Sequence, residues 1–120
     1  MNVLQQFGLG TDIVRVKRFE EKPYFTNQRF YKKIFLDSEI KYCLKHTNHA
    51  IHFSGKFAIK ESLKKSISKN INFLDIETYH LNSKPQVKLK NDLNYDFLTS
   101  ISHENEFAIA TVISENSNKK

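Results

Sequence analysis

Alternating side chains near the start of the chain predict a β-strand over residues 3–14. One face of this strand carries the odd-numbered side chains Leu9, Thr11 and Ile13. The opposite face carries the even-numbered residues Gly8, Gly10, Asp12 and Val14. Because glycine has no side chain, the face that holds Asp12 leaves room for something to approach the backbone.

Helical spacing is found in the middle of the chain. Residues 26–35 show a weak helical pattern, and Asp37 and Glu39 are typical of the start of a further helix that continues to Leu44. The strongest helix prediction covers residues 48–68, where small residues recur at every fourth position as Ser54, Ala58 and Ser62. Such a row lets a helix pack closely against a sheet or another helix.

The remainder of the chain favours strands. Residues 73–80 alternate in part, residues 82–85 predict a turn, and residues 86–90 alternate clearly. Residues 98–102 and 107–113 predict a hairpin around residues 103–106. One strand, then helices, then a run of strands indicates an α+β fold with a mostly antiparallel sheet. We expect one domain over residues 1–113 and a flexible polar tail over residues 114–120.

Composition narrows the class of protein without choosing a function. The 120 residues suit a single domain, and the net charge of +6 favours an anionic partner such as nucleic acid, an acidic protein or a phosphate-rich small molecule. No apolar run approaches the roughly 20 residues that span a bilayer, so no membrane association is predicted. The one cysteine, Cys43, cannot form an internal disulfide, and a cytoplasmic location is therefore expected.

Three short segments carry residues that could support chemistry. Asp12 follows the sequence Gly-Leu-Gly-Thr, and residues 57, 61 and 65 place a phenylalanine, a glutamate and a lysine on one helix face. The segment Ser-Ile-Ser-His ends at His103. Taken singly, each has an ordinary interpretation as a helix cap, an exposed Glu61–Lys65 ion pair or a turn.

Taken together and in this order, these segments resemble the holo-acyl-carrier-protein synthase family, the small 4'-phosphopantetheinyl transferases. The residues that carry the resemblance are Gly-x-Asp-Ile-Val ending at Val14, Phe-Ala-x-Lys-Glu ending at Glu61, and Ser-Ile-Ser-His ending at His103. The resemblance implies the transferase fold, in which a small antiparallel sheet packs against a long central helix. It also implies transfer of the 4'-phosphopantetheine group of coenzyme A to a serine of apo acyl carrier protein, releasing 3',5'-ADP.

Roles for individual residues follow from the same resemblance. Asp12 and Glu61 match the family's magnesium ligands, and Lys65 matches a lysine that contacts phosphate, so Glu61 and Lys65 are the expected catalytic residues. The residues expected to contact coenzyme A are Lys65, Lys84, Pro85, Ser102 and His103. Magnesium suits two carboxylates because it commonly retains waters and binds substrate phosphates.

The resemblance also implies partners. Arg15 and Arg18 lie in the basic stretch where the family receives an acidic acyl carrier protein, and opposite charges would speed their encounter. Because small members resemble half of a larger two-repeat enzyme, the chain is expected to form a homotrimer with active sites at the subunit interfaces.

Some residues depart from the family pattern. Residues 68–71 lack the usual glycine-rich loop, Ser83 replaces a glycine, and Lys56 replaces a common arginine, which puts the affinity for coenzyme A in doubt. His46, His49 and His52 are spaced by three, which is compatible with a metal site, but surface histidines are the better interpretation.

Two alternative functions stay open at this point. A small basic module that binds RNA or another polyanion would suit 19 Lys and Arg and 15 aromatic residues, although no recognised RNA-binding motif appears. The other alternative is a member of the same family that has lost its catalytic activity. Retention of Asp12, Glu61, Lys65 and His103 argues against this second alternative.

Overall fold

The computed structural model describes residues 3–67, 69–92 and 94–117. A short 3-10 helix (Val3–Gln6) leads into the first strand. The elements that follow are β1 (Phe7–Arg15), α1 (Lys17–Glu20), α2 (Gln28–Lys32), α3 (Asp37–Leu44), α4 (His49–Ser66), β2 (Ile76–Leu81), β3 (Lys84–Leu89), β4 (Tyr95–His103) and β5 (Phe107–Asn116). Further 3-10 turns occur at Tyr24–Thr26 and Phe73–Asp75.

The strands form two antiparallel sheets. Strand β5 lies between β1 and β4 in a three-stranded sheet, and β2 pairs with β3 in a separate hairpin. Helix α4 packs against β1 and β5, so the sheet covers one side of the long helix. This arrangement confirms the predicted α+β class and the predicted packing of a small antiparallel sheet against a central helix.

Two glycines let helix α4 approach the backbone of strand β1. A β-carbon at Gly8 would overlap the carbonyl oxygen of Ser66, and one at Gly10 would overlap that of Ser62. The Ser62 hydroxyl also donates a hydrogen bond of 3.0 Å to the carbonyl of Ala110 on β5. The room that the sequence predicted beside Asp12 is therefore filled by the helix itself.

A cluster of aromatic rings forms the core between α4 and the short helices. Phe19, Tyr31, Phe35 and Phe53 are nearly or completely buried, and the ring centroids of Tyr31 and Phe53 lie 4.5 Å apart. Contacts between such rings add to the free energy gained from burying their apolar surface. This cluster fixes the region after β1 against the first half of α4.

A second interior feature is a buried polar network. The Lys60 ammonium donates to Glu39 at 2.7 Å, and both side chains are fully buried. The other carboxylate oxygen of Glu39 accepts hydrogen bonds from the backbone amide and hydroxyl of Thr78. Lys56 donates to the same hydroxyl at 3.1 Å. The network joins α3, α4 and β2 and leaves Lys60 facing away from Glu61.

Several predicted boundaries shift. Lys84 and Pro85 lie in strand β3, and the turn before them consists of Asn82 and Ser83, both with positive φ. Strand β5 runs through Asn116, so residues 114–116 belong to the sheet and the predicted tail over 114–120 is wrong for them. The Ser114 hydroxyl anchors this part by donating to the carbonyl of Ser66 at 3.0 Å.

Two sequence predictions fall partly outside the described residues. Residues 118–120 of the predicted tail lie outside them, and so does Ser68 of the glycine-free loop. Among the residues that are described, no helix is long and apolar enough to cross a bilayer.

Candidate active site

Asp12 lies on β1 where the strand faces helix α4. Its carboxylate accepts a hydrogen bond of 3.0 Å from the Lys65 ammonium, which also donates to the carbonyl of Thr11 at 3.0 Å. The Asp12 side chain is 17% exposed and that of Lys65 is 54% exposed. The pair is therefore accessible from solvent on one side. The expected Glu61–Lys65 ion pair does not form, since Lys65 turns toward the strand.

Glu61 lies one helical turn before Lys65, at the level of Asp12. The strand and the helix run in opposite directions, because Gly8 lies against Ser66 and Gly10 against Ser62. Two residues along a strand advance about 6.7 Å, and four residues back along a helix cover about 6 Å. The step from Gly10 to Asp12 thus matches the step from Lys65 to Glu61. Among the described residues, Glu61 has no hydrogen-bond or ion-pair partner.

The two candidate partner-binding arginines lie in different places. The Arg18 guanidinium sits 4.8 Å from the ring centroid of Phe57, which is one turn before Glu61 on α4. Arg15 ends strand β1, and its guanidinium lies 5.2 Å from the ring centroid of Phe107 on the adjacent strand. Arg18 is therefore the arginine that lies along the same helix face as Glu61 and Lys65.

The donor set at Asp12 and Glu61 fits a hard divalent cation that brings further ligands. Carboxylate oxygens are the protein ligands that magnesium prefers, and it usually takes one or two of them together with waters and substrate phosphates. Within the described residues, no group of three or more His, Cys, Asp or Glu side chains is placed to hold a metal. A metal held by Asp12 and Glu61 would therefore share its ligands with waters and a phosphate compound rather than sit in a closed protein cage.

Apart from Lys65, the residues expected to contact coenzyme A lie elsewhere and are only partly together. A cavity of about 240 Å³ between α3, α4, β2 and β4 is lined by His103 and Pro85. Lys84 lines a different depression beside β4. Ser102 is exposed and pairs with Ile109, so it points to the side of the sheet away from α4. Adjacent strand residues point to opposite faces, which explains why Ser102 and His103 separate.

Residues of α3, α4 and β2 that the sequence analysis did not connect complete this cavity. Tyr42, His52, Lys56 and His80 all contribute to its lining. His46 packs on His52 with ring centroids 3.9 Å apart. His46, His49 and His52 are all half-buried, so the interpretation as surface histidines is wrong for them, and His49 does not line this cavity. Neither their spacing nor their composition signalled the partner His80, which is 28 residues beyond His52.

The environment of the cavity opposes positive charge on two of its histidines, His52 and His80. Burial lowers the pKa of His52 to about 4, and the neighbouring His46, His103, Lys56 and His80 add to this effect. Burial also lowers the pKa of His80 and of Lys56. A cavity lined by several basic groups and, within the described residues, by no carboxylate is suited to bind an anion.

The site residues and the fold agree with a comparison to known families. A family model described as the 4'-phosphopantetheinyl transferase superfamily matches residues 8–112. The chain belongs to this superfamily. The resemblance found in the sequence is thereby confirmed, and the matched residues include Asp12, Glu61, Lys65 and His103.

Individual relatives of this superfamily are similar over most of their length. The holo-[acyl-carrier-protein] synthase of Thermodesulfovibrio yellowstonii is 33% identical over 109 residues, covering 88% of this chain and 96% of that protein. The protein of the same name from Chlamydia felis is 34% identical over 119 residues, covering 92% of this chain and 98% of the relative.

Solved structures of the superfamily show a similar fold. The holo-[acyl-carrier-protein] synthase of Helicobacter pylori, in complex with coenzyme A, superposes with a TM-score of 0.75 at 31% identity. The match covers 89% of this chain and 99% of the Helicobacter chain. The holo-ACP-synthase of Plasmodium yoelii gives a TM-score of 0.75 at 30% identity, covering 92% and 95% of the two chains.

Proposed function

We propose that this chain is a holo-[acyl-carrier-protein] synthase, which transfers the 4'-phosphopantetheine group of coenzyme A to a serine of apo acyl carrier protein. The observation that carries the proposal is the placement of Asp12, Glu61 and Lys65 at one solvent-accessible point between β1 and α4, in a chain of this superfamily. The bond between the β-phosphorus and the 3',5'-ADP oxygen breaks as the serine oxygen attacks the phosphorus.

In this proposal Asp12 and Glu61 hold magnesium, which supplies charge neutralisation at the pyrophosphate of coenzyme A. Glu61 is free of competing ion pairs in the described structure and can also accept the serine proton through a bound water. Lys65 donates to Asp12 at 3.0 Å. Its ammonium can turn from Asp12 to a phosphate oxygen when the substrate enters.

Coenzyme A would extend from this point toward the cavity that contains His103 and Pro85. Residues 56 and 61 are five positions apart on α4, and at 3.6 residues per turn they project from different faces of the helix. Within one chain, the Asp12 site and the cavity are thus separated by the body of the helix. This separation supports the proposal that a neighbouring subunit completes each active site.

The outer face of the three-stranded sheet offers a surface for that neighbour. Leu9, Ile113 and Leu98 form one row across the three strands, and they are 68%, 39% and 71% exposed. Ile13 and Ile109 form a parallel row that ends at Ser102. An apolar face of this kind marks an interaction site. We propose that it is the contact between protomers of a homotrimer, which would bring Ser102 to the interface.

The trimer can be tested by light scattering at micromolar protein concentration. The expected mass is three times the 14.1 kDa of one chain. Leu9→Lys should lower it, because the new charge would be buried in the interface. Leu81→Lys is the matched control, since Leu81 is 59% exposed on the other hairpin. A monomer that is fully active would contradict the shared site.

Arg18 is the arginine expected to receive the acidic carrier protein. It lies over Phe57, so a carrier helix bound there would place its serine near Glu61. Arg18→Gln should raise the KM for the carrier protein. Its rate should also fall less steeply with added salt than the rate of the unchanged enzyme. Arg15→Gln, at the end of β1, should have a smaller effect.

The transfer itself is tested by the intact mass of an apo acyl carrier protein after incubation with the chain, coenzyme A and magnesium. The expected shift is one phosphopantetheine group, and it should disappear with EDTA. Asp12→Asn and Glu61→Gln should each lower the rate at least about a hundredfold, equivalent to several kcal/mol of transition-state stabilisation. Glu77→Gln is the matched control, because Glu77 makes only a 3.8 Å ion pair with Lys88 on the β2–β3 hairpin.

Three outcomes would contradict these assignments. Transfer at an unchanged rate in EDTA, or in both the Asp12→Asn and Glu61→Gln variants, would refute the assignment of a magnesium site to Asp12 and Glu61. A chain that binds RNA with a steep salt dependence, but neither binds coenzyme A nor modifies several carrier proteins, would be a polyanion-binding module. A chain that binds coenzyme A without transfer would be an inactive member of the superfamily.

We also propose a cytoplasmic location for the enzyme. The described residues contain a single cysteine, Cys43, which is completely buried. Burial raises the pKa of its thiol to about 12, so it stays protonated and unreactive in a reducing compartment. Fractionation of cells that express the chain would test this location.

A further inference from the structure

The cavity between α3, α4, β2 and β4 contains more titratable groups than the proposed transfer uses. Its lining includes Lys56 and the imidazoles of His52, His80 and His103, together with the hydroxyls of Tyr42, Thr78 and Ser83. Among the residues that the structure describes, no carboxylate lines it. The donors therefore come from four elements and converge on one space without a facing anion.

His52 lies at the centre of these groups. On one side its ring packs on His46, with centroids 3.9 Å apart, and His46 is held in turn by a 2.8 Å hydrogen bond between its Nδ1 and the carbonyl of Tyr42. Across the cavity, the charges that act on His52 come from His103, Lys56 and His80. Every titratable neighbour that acts on His52 within the described residues is thus a base that can carry positive charge.

The other charged groups near the cavity are already engaged. Glu39 lies behind Thr78, where its carboxylate binds Lys60 and the Thr78 amide. The Lys56 ammonium donates to the Thr78 hydroxyl and lies 4.6 Å from the ring centroid of Tyr42. Lys45 lies 4.9 Å from the same ring centroid. None of these groups supplies a negative charge to the imidazole of His52.

We propose that a phosphate group bound in this cavity is accompanied by the uptake of one proton by His52, which makes the binding of phosphate-bearing ligands tighter as the pH falls toward 6.5. A dianion in the cavity adds an attracting negative charge beside His52, where its other neighbours are bases. It therefore favours the imidazolium form of His52. The imidazolium form in turn provides two N–H donors in place of one. His52 is then a positioning residue for phosphate rather than a catalytic residue.

If the proposed function holds, the phosphate is the terminal 3'-phosphate of coenzyme A, and this part of the inference rests on that function. The proton would then link coenzyme A binding to pH, with a slope of at most about tenfold in Kd per pH unit for one proton. A phosphate ligand that binds only as its dianion releases protons when it binds. Its own ionisation therefore changes the number of bound protons in the opposite direction and cannot imitate uptake by His52.

The test is isothermal titration calorimetry with coenzyme A at pH 6.5, 7.0 and 8.0, each in two buffers of different ionisation enthalpy. Above pH 6.5 most of a phosphate monoester is a dianion, because its second pKa lies near 6. We expect net proton uptake and a several-fold lower Kd at pH 6.5 than at pH 8.0. Dephospho-coenzyme A, which lacks the 3'-phosphate, should show neither effect.

Two variants assign the proton. His52→Gln should remove the uptake and flatten the pH dependence. His49→Gln, a change of the same kind one turn earlier on α4, should leave both unchanged, because His49 does not line the cavity. Equal proton uptake in His52→Gln and the unchanged chain would overturn the inference, and so would the absence of uptake.

A second measurement separates this inference from the proposed function. In a proton NMR titration, inorganic phosphate should shift the midpoint of the His52 imidazole upward from about 4 to about 6.5 or above, and His52→Gln identifies its signal. A shift in a chain that never modifies a carrier protein would leave the phosphate site standing and refute the transferase. Transfer activity without any shift of the His52 midpoint would support the transferase and refute the phosphate site.

Discussion

Replacing Lys60 by methionine tests whether the buried Glu39–Lys60 pair is a structural necessity. The Lys60 ammonium donates three hydrogen bonds, to Glu39 at 2.7 Å, to the carbonyl of Ile34 at 2.8 Å and to the carbonyl of Phe73 at 3.1 Å. Methionine fills a similar volume but removes all three donors and the charge. Glu39, fully buried, keeps its bonds to backbone and hydroxyl groups but loses the ammonium that pairs with it directly.

Removing one partner of a buried ion pair costs about 3–5 kcal/mol, because the remaining charge is left in a poorly polarisable interior. A domain of this length is stable by about 6–18 kcal/mol at roughly 0.05–0.15 kcal/mol per residue. Lys60→Met should therefore remove a large part of the free energy of unfolding and lower Tm by about 10–25 °C. The reason is the isolated carboxylate rather than lost apolar contact.

Lys65→Met is the matched control, because it makes the same chemical change five residues later on the same helix. Lys65 is 54% exposed in its ion pair with Asp12, and exposed pairs contribute about 1 kcal/mol or less. Urea denaturation followed by circular dichroism should be run at one protomer concentration, since self-association adds to apparent stability.

Two results bear directly on this reasoning. If the two methionine variants differ by less than about 1 kcal/mol, the carboxylate of Glu39 is not isolated by the change and the explanation is refuted. Adding Glu39→Gln to Lys60→Met should recover stability relative to Lys60→Met alone, because the buried charge is gone. A double variant that is less stable still would point to shape rather than charge.

Three further measurements follow from particular residues. Ser83→Gly should raise the free energy of unfolding by about 0.5–1 kcal/mol in urea denaturation, because Ser83 has a φ of 67° that glycine adopts without strain; a loss of stability would contradict this. Gly10→Ala should cost about 3 kcal/mol or more in the same assay because its β-carbon meets backbone, whereas Gly55→Ala meets only the movable Cδ1 of Ile101, 2.6 Å away, and should cost less; equal costs would refute the close packing of α4. The pKa of His52 lies below its unfolded value, so the unfolded chain takes up the proton first and stability should fall as the pH is lowered from about 6.5 to about 4; His52→Gln should reduce this loss in thermal denaturation, and an identical slope would contradict the assignment.

Local spacing made the Asp12 site predictable from the sequence. The alternation in residues 8–14 assigned Asp12 and the glycines to one face, and the row of small residues on α4 indicated a close contact. Both are properties of one element at a time, and hydrophobic periodicity reports such properties well. The resemblance to a known family then connected Asp12 with Glu61.

The cavity beside His103 was not predictable in the same way. Its residues come from α3, α4, β2, β3 and β4 and from the turn between β2 and β3, so no period within one element relates His52 to His80. The same holds for the Glu39–Lys60 pair, whose members are 21 positions apart on different helices. Ser102 and His103 show the limit of a shared motif, because neighbouring strand residues face opposite sides of the sheet.

The pairing of β1 with β5 also determines when the enzyme can assemble. Phe7 faces Glu115 and Arg15 faces Phe107, so the strand that carries Asp12 finds its partner about 100 residues later in the chain. Contacts between such distant segments form slowly, because the intervening chain must first be ordered. During synthesis, the backbone groups of β1 therefore stay unpaired and its apolar side chains stay exposed until β5 has been made. We expect chain fragments that end before residue 107 to hold neither the Asp12 site nor the outer sheet face, and to aggregate rather than fold.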